Sequence, residues 1–163
     1  SNHEYAAYVD KDKKKIKNVH RGTASFQDVI DDVKVLVGAD RSTVKMKNHE
    51  SYYAKTKQKH GYKYDHSHTG HSLGGLVARR LGQDNSEKSV SFNGATGFSM
   101  EDRKKAKACK LSNNKFGFCK TDTNIKTTGD VVSAMSGSNS AKTKVLKSKN
   151  GRGILGMHKM SNF

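Results

Sequence analysis

Gly70-His71-Ser72-Leu73-Gly74-Gly75 has the spacing G-x-S-x-G, the form of a strand-to-helix turn that lifts a serine hydroxyl above the end of a parallel sheet. Glycine is needed on both sides of the serine because such a turn is strained and brings strand and helix close together. Ser72 is therefore the candidate nucleophile, and its neighbours must supply a strand before it and a helix after it. Residues 62–69 are placed as the strand, and Leu73, Leu76, Val77 and Leu81 recur at helical spacing behind the turn. The strand is oddly polar, Tyr-Lys-Tyr-Asp-His-Ser-His-Thr, where a central parallel strand is usually a Val/Ile/Leu run.

Outward from the turn, Tyr5 to Val9 and Ile16 to His20 read as a hairpin across the polar Asp10–Lys15 stretch, closed by Arg21-Gly22-Thr23. Ser25 with Asp28 resembles a capping box ahead of a helical stripe at Phe26, Val29, Ile30, Val33 and Val37, with Gly38 as its stop. A second helix is expected from about Thr43 to Lys59, a strand over Lys88–Phe92 and a basic helix over Met100–Leu111. Phe116–Thr121, Ile125–Thr128 and Lys142–Lys149 are strand candidates. Strands and helices alternate, which predicts an α/β fold with a mostly parallel central sheet flanked by helices. The 163 residues fit one domain spanning 1–163. No apolar run is long enough to span a bilayer and no secretory h-region lies near Ser1, so localisation stays unassigned.

The formal net charge is +16, from 31 basic residues, 25 of them Lys and six Arg, against 15 acidic ones. Lys is a solvated point charge, whereas Arg is the better bidentate reader of phosphates and bases. The balance suits diffuse attraction to a polyanion: an anionic membrane surface, nucleic acid bound non-specifically, or a packed acidic assembly. Charge that serves solubility alone is the plain alternative. Cys109 and Cys119 are ten apart and fit either a short disulfide or two free thiols in a reducing compartment. His60, His66, His68 and His71 could be taken for a metal cluster, but structural or solvent-facing histidines are the favoured explanation, and no metal or cofactor is expected.

A serine hydroxyl needs a base to attack at neutral pH, and the base needs an orienting carboxylate. In hydrolases built on this turn the chain order is Ser, then Asp or Glu, then His. Of eight histidines, only His158 follows Ser72, so the base has no alternative. The carboxylates between them are Asp84, Glu87, Glu101, Asp102, Asp122 and Asp130. Asp130 directly follows a strand candidate and ranks ahead of Asp122. Donors for a developing oxyanion would be the Leu73 backbone N–H and, from the early strand-to-helix loop, Thr23.

His20-Arg21-Gly22-Thr23, His49-Glu50-Ser51-Tyr52, Thr69 to Gly75, Gly129-Asp130-Val131-Val132-Ser133 and a late His158 resemble, in order, the landmarks of the class 3 lipase family. The similarity runs from about Val19 to His158; the Arg-Gly-Thr step and the serine turn are its specific pieces. Ser51 and Tyr52 stand where the family's H-x-G-F step has Gly and Phe. The resemblance implies an α/β-hydrolase fold, a Ser72–Asp130–His158 triad with Thr23 and Leu73 as oxyanion donors, and lipid esters as substrates. The chain departs from the family in its short length, its lack of Pro and a brief Gly38–Lys47 stretch where many members carry a lid. A minimal lid and a more open site are expected. The alternative is a basic structural or membrane- or nucleic-acid-binding protein, such as a virion component, that retains the fold with little activity.

Overall fold

The structure, a computed structural model, describes residues 4–22, 44–95, 99–113, 115–129 and 142–147. In chain order these form β1 (Tyr5–Asp10), β2 (Lys15–His20), α1 (Val44–His60), β3 (Asp65–His71), α2 (Leu73–Asn85), β4 (Lys88–Phe92), α3 (Met100–Leu111), α4 (Gly117–Lys120), β5 (Asp122–Thr127) and β6 (Lys142–Leu146). The six strands make one mixed sheet in the order β1-β2-β3-β4-β5-β6. β1 runs antiparallel to β2, as the hairpin requires, and every other pairing is parallel. The expected α/β class is met at this level. The stretch expected as a helix over Phe26–Val37 lies outside the described residues, as do residues 38–43 of the lid stretch.

Strands β2 to β5 step across the sheet in one direction. Right-handed crossovers then place their connecting helices on one face. α1 and α2 lie together there, joined by an apolar cluster of Met46, Tyr53, Val77 and Leu81. Paired residues of neighbouring strands share a face. The register therefore puts Ile16, Asn18, His20, His66, His68, Ser89, Ser91, Asp122 and Asn124 beneath these helices, all of them buried.

This answers the polarity of the strand before Ser72. Its neighbours on the buried face are polar as well, and they bond one another. Tyr5 donates its hydroxyl to Asn18 Oδ1 at 2.6 Å, and Asn18 Nδ2 donates to the Ser67 carbonyl at 3.0 Å. Ser89 Oγ donates to Asp122 Oδ1 at 3.2 Å and Ser91 Oγ to Asn124 Oδ1 at 2.9 Å. Arg79 Nε, from α2, donates to Asp122 Oδ2 at 2.8 Å. Buried polar groups are tolerated when partnered in this way.

Two expectations are corrected. Phe116–Thr121 is not a strand: Gly117–Lys120 form the short helix α4, tied to α3 by a Cys109–Cys119 disulfide with Cα atoms 5.6 Å apart. That bond also settles the two cysteines in favour of pairing. β5 begins at Asp122, not Ile125, because the Asp122 carboxylate is drawn into the core by Arg79. The basic helix α3 forms as expected, headed by a capping box between Ser99 and Asp102. α3 is held to α2 by Arg80 Nη2 on Asp102 Oδ2 at 2.6 Å and Lys105 Nζ on Asp84 Oδ1 at 2.7 Å. Among the described residues no helix is long and apolar enough to cross a membrane.

Candidate active site

β3 ends at His71 and α2 begins at Leu73, so the whole reversal falls on Ser72. Its backbone stands at φ 57°, ψ −122°, in the left-handed half of the map that an L-residue other than glycine seldom occupies. The turn closes only because its neighbours lack side chains. A Cβ at Gly70 would overlap the Gly74 carbonyl, and one at Gly74 would overlap the carbonyl oxygen of His20. Four backbone bonds pin the strained residue. Ser72 N donates to the Phe92 carbonyl at 3.1 Å, and the Ser72 carbonyl accepts from the N–H groups of Gly75, Leu76 and Ala95 at 3.0, 3.3 and 3.1 Å.

The Ser72 side chain uses none of this. The residue is 1% exposed, and among the described residues its Oγ has no hydrogen-bond partner. A buried hydroxyl left so costs about 1–3 kcal/mol. Beside it, Leu73 opens α2. Among the described residues no hydrogen bond uses its N–H, which points along the positive end of the helix. Such a turn sets a hydroxyl beside an amide that could receive an oxyanion; attack at a carbonyl carbon would further need a base to take the hydroxyl proton.

The loop leaving β2 comes alongside. A Cβ at Gly22 would lie 2.6 Å from the His71 carbonyl oxygen and 3.4 Å from the Leu73 amide nitrogen. Thr23 is the next residue; Thr23, Asp130 and His158 all lie outside the described residues. The chain before Asp130 is described. Ile125 pairs with Phe92, and Phe92 with His71, so β5 reaches the level of the turn and ends two residues later at Thr127. Thr128 and Gly129 then leave at the carboxyl edge of the sheet, the edge on which Ser72 stands. Asp122 stands at the level of His68, four residues below the turn, with its carboxylate committed to Arg79.

Below the turn lies a histidine cluster whose contacts the sequence did not reveal. His49 of α1 meets His20 of β2 at 3.1 Å, His20 meets His68 of β3 at 3.0 Å, and His68 Nε2 meets Glu87 Oε2 at 2.8 Å. Burial, and then the neighbouring His68 and His49, hold His20 well below its ordinary value. Burial, and then Lys45, bring His49 down to about 4. Burial alone would raise Glu87, but the hydrogen bonds from His68 and Tyr53 outweigh it and hold the carboxyl at about 2. Burial and the bond to Glu87 raise Tyr53. The alternation of His66 and His68 along β3 and of Asn18 and His20 along β2 was the available signal. It marks a shared face but not the partners. His66 meets Asn18 Nδ2 at 3.4 Å, apart from this file of rings. Among the described residues no group of three or more His, Cys, Asp or Glu is placed to hold a metal ion.

Compared with protein-family models, with characterised proteins and with solved structures, the chain matches none.

Proposed function

We propose that this chain is a serine carboxylic ester hydrolase with an α/β-hydrolase fold, similar to class 3 lipases and acting on lipid esters. One observation carries the proposal: Ser72 sits in a strained backbone at a strand-to-helix turn, with a buried hydroxyl that no described residue bonds. Ser72 Oγ attacks the ester carbonyl carbon as its proton passes to His158, held in orientation by Asp130. The tetrahedral oxyanion is received by the Leu73 N–H and by Thr23. Collapse expels the alcohol with the proton from His158 and leaves Ser72 acylated; water then releases the acid by the same steps in reverse roles.

The substrate class rests on the resemblance and on charge. The anionic surface that the basic residues favour must also present substrate to the carboxyl edge. The Lys-rich turn between β1 and β2 lies at the opposite edge, a full strand length or roughly 20 Å from Ser72. α3 begins on the Ser72 side and exposes Met100, Arg103, Lys104 and Lys107, so it is the better candidate for the membrane contact.

A fluorophosphonate probe should label the native protein and leave Ser72→Ala unlabelled. Native protein that folds and stays unlabelled, or equal labelling of the variant, overturns the proposal in favour of a binding role.

A further inference from the structure

The hydrolysis above uses none of the three rings and the carboxylate that stand in file under the helices. His49 Nδ1 faces His20 Nδ1, His20 Nε2 faces His68 Nδ1, and His68 Nε2 faces Glu87 Oε2, at 3.1, 3.0 and 2.8 Å. With Glu87 ionised and the rings neutral, one arrangement of protons gives every contact a donor and an acceptor. Glu87 only accepts, so His68 donates from Nε2 and its Nδ1 is a lone pair. His20 then donates from Nε2 and accepts at Nδ1, and His49 donates from Nδ1. His49 Nε2 is left as a bare lone pair, and among the described residues that buried atom has no partner.

We propose that this file is a binding site for a single proton, which enters at His49 Nε2 and comes to rest between His68 and Glu87. As His49 Nε2 gains the proton, the His49 Nδ1 proton passes to His20 Nδ1 and the His20 Nε2 proton passes to His68 Nδ1. His68 keeps its Nε2 proton and becomes an imidazolium paired with the Glu87 carboxylate. Both ring-to-ring bonds reverse direction and none is lost; the net change is one positive charge. A second proton on the rings would set two N–H groups face to face, so the rings hold one.

The surrounding groups fix where the charge settles. Lys45 on α1 opposes it at His49. Lys57 on α1 lies 3.2 Å from Glu87 Oε1 and weakens the pull of the carboxylate, to which Tyr53 also donates at 2.6 Å. Tyr5 of β1 packs its ring 5.4 Å from that of His20, and His66 of β3 lies beside the file with a pKa lowered chiefly by burial. Glu87 is the one acidic group in contact with the file among the described residues, so the imidazolium belongs on His68. His20 precedes the Arg21–Gly22 loop and His68 lies four residues before Ser72, which puts the stored charge beneath the turn. The site stands whether or not Ser72 turns over an ester.

Histidine-resolved ¹⁵N NMR on the full chain from pH 7.5 to 4 tests this. At the upper end His20 and His68 should carry their proton on Nε2 and His49 on Nδ1. On acidification the three should follow one curve. His20 and His49 should exchange tautomers, and His68 alone should take the imidazolium signature. In Glu87→Gln the common midpoint should fall by at least about one pH unit, because the counter-charge is gone. Separate midpoints for the three rings, an imidazolium signature at His49, or a Glu87→Gln effect confined to His68 would overturn the proposal. If Glu87→Gln does not fold, the native tautomer exchange decides alone.

Discussion

Ser72 carries two costs that a purely structural residue has no reason to keep: a left-handed backbone worth about 1–3 kcal/mol and a buried hydroxyl, of similar size, that has no hydrogen-bond partner among the described residues. Ser72→Ala removes the second and Ser72→Gly removes both. Stability in urea should therefore rise from native to Ala to Gly by about 1 kcal/mol per step, while nucleophilic reactivity vanishes in both variants. A loss of stability in both would make Ser72 a structural residue. Gly74→Ala goes the other way, since its Cβ would meet the His20 backbone; about 3 kcal/mol or more should be lost, read as a lowered urea midpoint. The histidine file sets the acid limit. Burial lowers His20 and His49 in the fold, so as pH falls each ring of the unfolded chain takes up a proton while the file as a whole takes one. Glu87, held at about 2 against an ordinary 4.5, continues the loss at lower pH. Stability should be full above about pH 6.5 and decline from there toward pH 2. Urea titrations across the pH series check this.

At the scale of elements, α2 is both the helix that follows Ser72 and the anchor of the sheet. Arg79 and Arg80, adjacent on it, are buried in ion pairs with Asp122 and Asp102. Asp122→Asn removes the charge of the carboxylate that Arg79 Nε donates to in the core and should cost about 3–5 kcal/mol in urea unfolding. The double variant Arg79→Met, Asp122→Leu should recover most of that loss. The helix itself was legible in the sequence because Leu73, Leu76, Val77 and Leu81 carry its apolar stripe. So was the hairpin, from apolar residues interrupted by a charged turn. α4 was not: the aromatic Phe116–Thr121 stretch has strand composition, and the turn it makes depends on Cys119 meeting Cys109. The start of β5 was hidden for a like reason, since a leading Asp reads as a loop until Arg79 is seen facing it.

Across the whole molecule, the described ion pairs bury arginine and leave lysine outside. Of the four described Arg, Arg79 and Arg80 lie in the core, while Lys11, Lys13, Lys14, Lys15 and Lys17 of the hairpin are exposed. Their positive field should drive adsorption to anionic vesicles that weakens steeply between low and high salt. Reversing Arg103, Lys104 and Lys107 on α3 should lower turnover of vesicle-borne ester while sparing a soluble short ester. Reversing the hairpin lysines, at the far edge, should weaken vesicle binding with less effect on that turnover. Equal effects of the two sets on turnover would show that the surface has no preferred side.

The amino-acid sequence by itself determined the alternation of strands and helices, the position of the turn at Ser72, and the order in which Asp130 and His158 follow it. These are local or ordinal properties: apolar spacing, glycine where backbones must touch, and residue order along the chain. Only the tertiary structure decided that the strand beneath Ser72 is polar because its whole face is polar. It also decided that Asp122 serves Arg79, and that His20, His49, His68 and Glu87 stand in one file. Those outcomes need partners 19 to 48 residues apart brought within about 3 Å, and no pattern within a single segment encodes which partner will arrive.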